Sequence, residues 1–498
     1  MIVYADRKRR VTTRIPGSDW HGTLIRFGEV EAALADLLCP DFDEPHPLLE
    51  RLRSIAIRIG GGDMHAVADI PPLPADVCVS VPEGYAYYAV YPEDYGKAAL
   101  RFCREHRPRK AVVIGIRSIG TSLSAVVAAT LQKAGCAVKS FTVRPRGHPF
   151  NRELSLRGFE WDEDSFFLVV DEGPGISGSS FACVAEYLSN RGIPDGRIVL
   201  FPSWETDGTN LLSDRARKRW TRHSKYTEAR GPLSGSRELS AGKWRELSDA
   251  APPVHPQHER RKYLRDGRLY KFEGLSHYGA EKAQRAQVLA DAGFSARPLA
   301  MEDGYLVSEW VDGRPATAAD ATNAAGWVAR YLEFLQLHFL SDRPVPYQEN
   351  IEMMRVNVEE GVGSEWAGRL DVFDELRPLL CDRPTIAIDA RMLPHELLLT
   401  AAGYVKTDTL DHHDDHFFPG CQDIAWDAAS ACVEFGISED QDLVPEECLT
   451  FYKVAYLSYR LGYCTVAAGS GYETSGFLLL ANQYREILRY ELDRLCRS

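Results

Sequence analysis

The sequence predicts an α/β fold with a doubly wound, mostly parallel sheet in its first half, followed by a separate α+β domain. Between Lys110 and Trp204, strand-length apolar runs alternate with amphipathic helical segments, which is the pattern of repeated strand–helix units. The run Ala111–Ile116 is apolar throughout, as expected of a parallel strand that is covered on both faces. The second half begins instead with short strands joined by Asp-Gly turns, and long helices follow.

The elements of the first half follow one another at short intervals. Strands are predicted at Ala111–Ile116, Val138–Val143, Phe166–Val170 and Arg197–Phe201, and helices at Ser122–Lys133 and Ser179–Leu188. Gly135 and Gly192 end the two helices. Parallel strands joined in this way bring their carboxyl ends to one edge of the sheet, where such folds bind ligands.

The second half is predicted to open with two antiparallel hairpins and a helix between them. The strands are Arg261–Leu264 with Arg268–Phe272 and Pro298–Met301 with Tyr305–Trp310, and the helices are Tyr278–Ala292, Ala318–Phe339 and Gly476–Arg497. A polar segment with Gly-Pro, Ser-Gly-Ser and Pro-Pro steps lies between the two halves. We therefore divide the chain into residues 1–226, a linker at 227–257 and a second domain at 258–498.

The composition is typical of a folded cytoplasmic protein whose partners are small molecules. A chain of 498 residues needs more than one core, and a net charge of −13 argues against binding to nucleic acid. No apolar run is long enough to span a membrane, and the start of the chain lacks a signal segment. The 11 cysteines form no CxxC pair, as expected in a reducing compartment, and a homodimer is left open.

Two loops at the expected ligand-binding edge carry phosphate-binding chemistry. Arg117–Ser122 follows the first strand and opens a helix, and Asp171–Ser180 follows the third strand and opens another. In the second loop, glycines let backbone N–H groups approach a phosphate, and the helix N-terminus favours an anion. The paired carboxylates of Asp171 and Glu172 suit ribose hydroxyls or a shared Mg²⁺.

This order of an apolar strand, two acids and a Gly/Ser loop resembles the PRPP-binding signature of type I phosphoribosyltransferases, with a match over about Lys110–Trp204. The resemblance implies that Asp171 and Glu172 hold the ribose hydroxyls. It implies that Arg117 and Arg146 act with them in catalysis by stabilising pyrophosphate. The substrate-binding residues that it implies are Ser118, Gly120, Thr121, Arg144, Gly175, Ile176, Ser177, Gly178, Ser179 and Ser180.

The match to this family is imperfect. Glu172 stands where the family has a second Asp, and the loop is longer and contains Pro174. The basic stretch Arg144–Arg152 follows the second strand, where the family has a mobile cover over pyrophosphate. A plain Gly/Ser turn in another α/β domain is the alternative. The aromatic residues of Tyr85–Tyr91 could line an acceptor pocket, but packing in the core is the preferred interpretation.

The second half places Lys271 on a strand and Glu281 near the start of a helix, with Asp389 and Asp408 further along the chain. This order resembles the kinase-like fold of aminoglycoside and choline phosphotransferases. The resemblance implies that Lys271 and Glu281 bind nucleotide phosphates. It also implies that Asp389 is catalytic and that Asp408 holds a metal ion, with Asp427 as a later structural residue.

Two departures leave the activity of this domain open. No glycine-rich loop separates its first strands, and Pro394, followed by His395 and Glu396, stands where the family has an Asn. An unusual kinase, a pseudokinase and a nucleotide-free binding module are all compatible with the sequence. The cluster Asp411–His416 is rich in metal-ligand residue types, with a solvated loop as the alternative.

The function expected from these features is phosphoribosyl transfer. The first domain would pass ribose 5-phosphate from PRPP·Mg²⁺ to an acceptor and release pyrophosphate, because two positioned loops and an acid pair suit that reaction. The kinase-like domain, with ATP, would phosphorylate or bind an intermediate. One alternative is a PRPP- or nucleotide-sensing regulator without turnover. Another is an ATP-dependent small-molecule kinase whose N-terminal module is a sensor.

Overall fold

The computed structural model describes residues 8–17, 19–148, 150–175, 177–228, 230–415, 418–437 and 443–495. These residues form two compact units. The N-terminal unit contains the described residues of 8–233 together with 272–280, and the C-terminal unit contains those of 234–271 and 281–495. The mixed α/β content expected from the sequence is confirmed.

The first part of the chain, up to residue 225, begins with helices and a small sheet and continues with alternating strands and helices. Its strands are β1 (Lys8–Thr12), β2 (Asp76–Ser80), β3 (Lys110–Ile116), β4 (Ala137–Val143), β5 (Phe166–Val170), β6 (Ile198–Phe201) and β7 (Ser224–Lys225). Its helices are α1 (Trp20–Leu38), α2 (Pro47–Gly60), α3 (Glu83–Ala86), α4 (Pro92–His106), α5 (Ile119–Lys133), α6 (Ser179–Asn190) and α7 (Asp214–Trp220). Strands β1 and β2 pair antiparallel.

A five-stranded parallel sheet is the frame of the N-terminal unit. Its strands lie in the order β4-β3-β5-β6-β7, and each neighbouring pair runs parallel. The side chains of Phe167, Val169 and Ile114 are wholly buried, and burial of one such side chain contributes about 1.5–3 kcal/mol. The parallel sheet predicted from the apolar runs is therefore confirmed. Helix α5 begins three residues earlier than predicted, directly after the left-handed residue Ser118.

The later part of the chain contains short antiparallel strands and then mostly helices. Its strands are β8 (Arg237–Glu238), β9 (Lys262–Arg265), β10 (Arg268–Phe272), β11 (Pro298–Glu302), β12 (Tyr305–Glu309), β13 (Arg314–Pro315), β14 (Leu397–Thr400) and β15 (Gly403–Lys406). Its helices are α8 (His277–Asp291), α9 (Ala321–His338), α10 (Tyr347–Gly361), α11 (Ser364–Ala367), α12 (Arg377–Cys381), α13 (Ala425–Phe435), α14 (Glu446–Gly469) and α15 (Thr474–Leu495). The strands form two sheets, in the orders β11-β12-β10-β9-β8 and β13-β14-β15.

Both predicted hairpins, β9–β10 and β11–β12, are present in this sheet. Asp266 and Asp303 adopt the left-handed conformation at their turns, with φ of 52° and 49°, and a glycine follows each of them. The largest core of the C-terminal unit lies among its helices, where α14 packs against α10, α13 and α15. Across the described ranges, no helix is long and apolar enough to cross a membrane.

The polar segment at 227–257, for which the sequence predicts a linker, has ordered structure from residue 234 onward. Strand β8 pairs antiparallel with β9 and forms the edge of the larger sheet. Arg245 donates two hydrogen bonds to the Glu473 carboxylate, at 2.7 and 2.9 Å. A polar composition is compatible with this structure because an edge strand with a salt bridge needs few apolar residues. Proteolytic separation of the two halves within 227–257 stays a prediction.

Gly115 in strand β3 is a position where the fold requires the absence of a side chain. A Cβ atom there would overlap the Gly120 carbonyl oxygen and the Ser124 hydroxyl, which pack against the strand. We expect Gly115→Ala to lower the free energy of unfolding of the N-terminal unit by about 2 kcal/mol, measured by urea denaturation. The control is Gly196→Ala, whose Cβ would meet nothing within 4 Å. Equal stability of the two variants would contradict the packing described for this strand.

Candidate functional site

The two predicted phosphate-binding loops meet at the carboxyl edge of the parallel sheet. Gly120 lies so close to the end of β5 that a Cβ atom there would be 2.5 Å from the Val170 carbonyl oxygen and 3.3 Å from the Asp171 carboxylate. Asp171 and Glu172 follow β5 directly, as the sequence predicts. The structure therefore brings the acid pair and the first loop together.

The acid pair is held by its backbone, while its carboxylates lie in a poorly solvated environment. The Tyr95 hydroxyl donates to the Asp171 carbonyl at 2.7 Å, and the Ser203 hydroxyl donates to the Glu172 carbonyl. Burial raises the pKa of Asp171 to about 7. Burial, together with the nearby Glu83 and Asp171 carboxylates, raises the pKa of Glu172 well above its usual range. One carboxylate oxygen of Glu172 is buried and accepts no hydrogen bond. Among the described residues, no cation forms an ion pair with either carboxylate, so burial dominates both pKa values.

The Gly/Ser loop runs from the acid pair into helix α6. Gly178 adopts the left-handed conformation with φ of 66°, and its N–H donates to the Gly175 carbonyl at 3.1 Å. A Cβ atom on Gly178 would approach Leu211 to 2.8 Å, whereas one on Gly175 would meet nothing within 4 Å. Gly175 therefore has open space beside it. Ile176, also predicted to bind substrate, lies outside the described residues.

The predicted arginines are engaged by acidic side chains that the sequence analysis did not select. Arg117 is almost wholly buried, and its guanidinium lies 2.7 Å from Asp43 and 3.1 Å from Asp36. Arg144 donates to Asp36 at 2.5 and 3.0 Å. Arg146 lies 3.4 Å from Asp43 and donates to the Cys39 and Pro40 carbonyls at 2.6 and 3.0 Å.

These contacts give the three arginines carboxylate partners, and their roles towards a phosphate stay predictions. The Arg117 guanidinium is buried and paired, so binding a phosphate would leave its carboxylate partners unpaired, which is unfavourable. Together, Arg117, Arg144 and Arg146 join α1 and the segment after it to the sheet in this structure. The basic stretch is also folded back on itself, because Arg146 and Glu153 exchange two backbone hydrogen bonds.

A small pocket of about 10 Å³ lies beside the first loop. Among the residues that line it are Asp36, Ser80, Tyr85, Ser118, Ser122 and Arg144. The Tyr85 hydroxyl lies 2.7 Å from the Ser122 hydroxyl, and the side chains of Tyr85, Tyr87 and Tyr91 are buried. The preferred interpretation of the aromatic residues as core is consistent with this burial, although Tyr85 also reaches the pocket wall.

In the C-terminal unit, residues from distant parts of the chain converge on Asp408, which lies just after β15. The Lys271 ammonium on β10 donates to the Asp408 carboxylate at 2.7 Å. His412 Nε2 lies 3.3 Å from the other carboxylate oxygen, and an Arg391 nitrogen lies 3.4 Å from it. Burial alone would raise the pKa of Asp408, but Lys271, His412 and Arg391 hold it well below its usual range.

Asp389 is held more deeply, at the centre of a hydrogen-bonded loop. The Tyr331 hydroxyl donates to its carboxylate at 2.7 Å. The Asp427 carboxylate accepts the backbone N–H groups of Asp389 and Ala390 at 2.7 and 2.8 Å. Ala390 adopts the left-handed conformation with φ of 72°, which a non-glycine residue keeps only when its surroundings hold it. Asp427 thus fixes the backbone on which Asp389 sits, in agreement with the structural role suggested by the sequence.

Lys406 lies between three acidic residues and is wholly buried. Its ammonium donates to the Glu396 carboxylate at 3.0 Å and to the Asp408 carbonyl at 2.8 Å. It also lies 3.2 Å from the Asp389 carboxylate. Burial alone would lower the pKa of Lys406, but the surrounding acids raise it above its usual range. Asp389, Glu396 and Asp408 are therefore connected through one ammonium group.

Glu396 and Asp408 present the oxygen ligands that Mg²⁺ prefers. Ligand atoms of Glu396, Asp408 and His412 all lie within 4.8 Å of one another. Burial and Arg391 would lower the pKa of His412, but Asp408 and Asp389 raise it to about 9. The Glu396 and Asp408 carboxylates fit Mg²⁺, which prefers oxygen ligands.

Two further predictions concern α8 and the segment after Asp408. Glu281 is exposed, and its pairing with Lys271 stays a prediction, since the structure gives Lys271 a bond to Asp408. In the cluster Asp411–His416, Asp411 is buried and pairs with Lys282 at 2.8 Å and with Arg260 at 2.5 Å. These cations already balance Asp411, and His416 lies outside the described residues.

Lys406 and Arg391 are not singled out by the sequence, and Glu396 appears there only as a departure from a family pattern. A signal for two of them was present, because β14 and β15 form a tight hairpin. Leu397 pairs with Lys406 in its register, which places Glu396 beside Lys406. The contact between Glu396 and Lys406 can be predicted if β14 and β15 are paired as a hairpin.

Comparison with known proteins gives weak similarity to kinases of known structure. No family model matches this chain, and no curated protein matches it. The structure of choline kinase LicA from Streptococcus pneumoniae is 15% identical, with a TM-score of 0.36, over 51% of this chain and 96% of that one. A choline/ethanolamine kinase family protein from Mesorhizobium loti is 16% identical, with a TM-score of 0.34, over 48% and 90%. A glucosamine kinase in complex with glucosamine, ADP and inorganic phosphate is 18% identical, with a TM-score of 0.30, over 53% and 76%.

These identities and TM-scores are too low to assign an activity to this chain. The expectation of phosphoribosyl transfer stays a prediction that rests on the residues of the N-terminal unit.

The raised pKa of Asp171 predicts a pH-dependent effect on stability. A carboxyl whose pKa is raised by folding stabilises the folded state at low pH, and this contribution is lost as the pH rises towards the folded-state value of about 7. Asp171→Asn removes the carboxyl group. We therefore expect the free energy of unfolding of this variant, relative to wild type, to rise by up to about 4 kcal/mol between pH 4 and pH 7. Above pH 7 the difference should stay constant.

Thermal melts at several pH values would measure this effect. Asp164→Asn is the control, because that side chain is 87% exposed, and it should change stability by less than about 0.5 kcal/mol at every pH. An effect of Asp171→Asn that does not vary with pH would contradict the protonation described for this site.

Proposed function

We propose that the C-terminal unit is an ATP-dependent phosphotransferase that acts on a small molecule. The observation that carries the proposal is the 2.7 Å bond between Lys271 and Asp408, which joins the strand lysine to the acid after β15. In protein kinases, a strand lysine binds nucleotide phosphates and an acid at a strand end binds Mg²⁺. The pair found here has the residue types, the placement on strands and the proximity that this chemistry needs.

Each residue has a role that its surroundings support. Lys271 would bind the nucleotide phosphates, and Glu396 would provide the second oxygen ligand that an Asn provides in protein kinases. Mg²⁺ held by Glu396 and Asp408 would neutralise phosphate charge. Arg391 is 28% exposed beside both acids, which suits contact with the transferred phosphoryl group. Asp389 is wholly buried, so we assign it to positioning the loop and not to direct contact with an acceptor.

Binding of a nucleotide should stabilise the C-terminal unit. We expect ATP with Mg²⁺ to raise the melting temperature of the C-terminal unit, with a stabilisation of about 2.7 kcal/mol at 100 times the dissociation constant. Asp408→Asn should abolish most of this stabilisation, because it removes a metal ligand and the partner of Lys271. Differential scanning calorimetry with and without nucleotide would measure both effects.

The control for that experiment is Asp371→Asn. Asp371 belongs to the same unit, and its side chain is 63% exposed and paired with Arg355. This variant should keep the full response to ATP. If the wild-type protein showed no shift with ATP, GTP or their diphosphates, the proposed phosphotransferase would be ruled out.

For the N-terminal unit, we propose binding of PRPP with Mg²⁺ as a second function. The specific observation in its favour is the contact between the two loops at the carboxyl edge of the parallel sheet, beside the acids Asp171 and Glu172. These two acids are not neutralised by any cation at hydrogen-bond distance among the described residues. A Mg²⁺-bound ribose phosphate would supply that positive charge. The engaged arginines favour binding over turnover in the conformation described here.

Calorimetric titration with PRPP tests this second function. Gly175 has open space around its Cβ position, so Gly175→Ala should leave the fold intact and weaken PRPP binding at least about tenfold, by blocking the approach of phosphate to the backbone. Gly231→Ala, which is equally unhindered, is the control. Binding should require Mg²⁺. Pyrophosphate release, measured separately, distinguishes a transferase from a sensor, and the absence of PRPP binding in the presence of Mg²⁺ would rule out both.

A further inference from the structure

Lys406 occupies a position between carboxylates that a metal ion could otherwise take. Its ammonium lies 3.0 Å from a Glu396 oxygen, 3.2 Å from an Asp389 oxygen and 2.8 Å from the Asp408 carbonyl oxygen. Three oxygens around one buried cation resemble a partial coordination shell. The relative exposure of the Lys406 side chain is 0%, so water does not compete for these contacts.

The remaining oxygens of the three acids have other partners. Asp389 accepts a hydrogen bond from Tyr331, and the second Glu396 oxygen lies 3.3 Å from Arg391. The Asp408 carboxylate faces Lys271 on one oxygen and His412 on the other. Of these side chains, Asp408 is 21% exposed, whereas Asp389 is wholly buried. The partial exposure of Asp408 lets a metal ion approach its carboxylate, whereas Lys406 is wholly buried.

Protein kinases hold two Mg²⁺ ions between nucleotide phosphates and their acidic and amide ligands. Building on the function proposed for this unit, we propose that Lys406 is a permanent internal cation that replaces the second of these ions. The site then binds nucleotide with one divalent ion, held on the exposed side by Asp408 and Glu396. Lys406 is a positioning residue, because it acts on the acids and does not touch the nucleotide.

The number of bound ions is the first test. Mn²⁺ is a suitable probe, because its free form is measured directly by electron paramagnetic resonance. We expect the full-length wild-type protein, saturated with a non-hydrolysable ATP analogue, to bind one Mn²⁺ ion more than the Asp408→Asn variant binds. This subtraction removes ions held elsewhere on the chain. A difference of two ions would overturn the proposal, and this measurement does not depend on the folding of any Lys406 variant.

The second test removes the internal cation. Lys406→Ala leaves space beside Asp389 and Glu396 for a hydrated ion, so we expect the number of Mn²⁺ ions bound with the analogue to rise from one to two. Mn²⁺ at millimolar concentration should also raise the melting temperature of this variant by at least about 5 °C more than that of wild type. Lys406→Ala with Glu396→Gln should lose the additional ion, because one of its ligands is gone.

Arg383→Ala is the matched control for loss of a buried ion pair. Arg383 lies 2.6 Å from Asp423, whose side chain is wholly buried. The variant therefore leaves a single buried carboxylate without its cation, whereas Lys406→Ala does so for a cluster of acids. It should lose stability without gaining an ion. If Lys406→Ala behaved like Arg383→Ala, Lys406 would have only a structural role and the proposal would fail. If wild type bound neither the nucleotide analogue nor Mn²⁺, the phosphotransferase itself would fail, which is a distinguishable outcome.

Discussion

The energetic cost of burying carboxylates is the constraint that organises the C-terminal unit. An ionised carboxylate removed from water is unfavourable by several kcal/mol unless cations and hydrogen-bond donors surround it. Asp389 and Glu396 meet this requirement by sharing Lys406, and the Asp408 carboxylate meets it by binding Lys271. The strand β10, the hairpin β14–β15 and the loop before it must therefore meet at one place. Asp427 then holds the backbone of that loop through two N–H groups.

The acidic residues of the N-terminal unit lie in two different electrostatic environments. Asp36 and Asp43 are neutralised by the arginines after β3 and β4, which ties α1 and the following segment to the sheet. Asp171 and Glu172 have no such partner among the described residues, and burial raises the pKa of both. The two kinds of site differ in what they can bind. Within this unit, Asp36 and Asp43 stabilise the fold, whereas the unsatisfied charge of Asp171 and Glu172 favours a cationic or metal-bound ligand.

Much of the fold could be predicted from the sequence. The strands of the parallel sheet are covered by neighbouring elements and therefore consist mostly of apolar residues. Strand β5 was predicted at its observed bounds, and the two hairpins of the second half were predicted from their Asp-Gly turns. The polar segment at 227–257 contains strand β8, which an apolar pattern does not predict. Strand β8 has two residues, and it pairs at the edge of a sheet, so its side chains carry no apolar pattern.

The site was harder to predict than the fold, because a residue's chemistry depends on which charges face it across the structure. Arg117 and Arg146 are well placed in sequence for a phosphate, yet carboxylates from the segment after α1 reach them first. No local sequence pattern predicts such a contact, because its two residues are at least 74 positions apart in the chain. Lys406 is the opposite case, because its partners are local. Lys406 is the buried residue at the end of β15, two residues before Asp408, so its charge must be neutralised there. The register of a tight hairpin then identifies Glu396 as its partner, and the acid cluster follows from that one pairing.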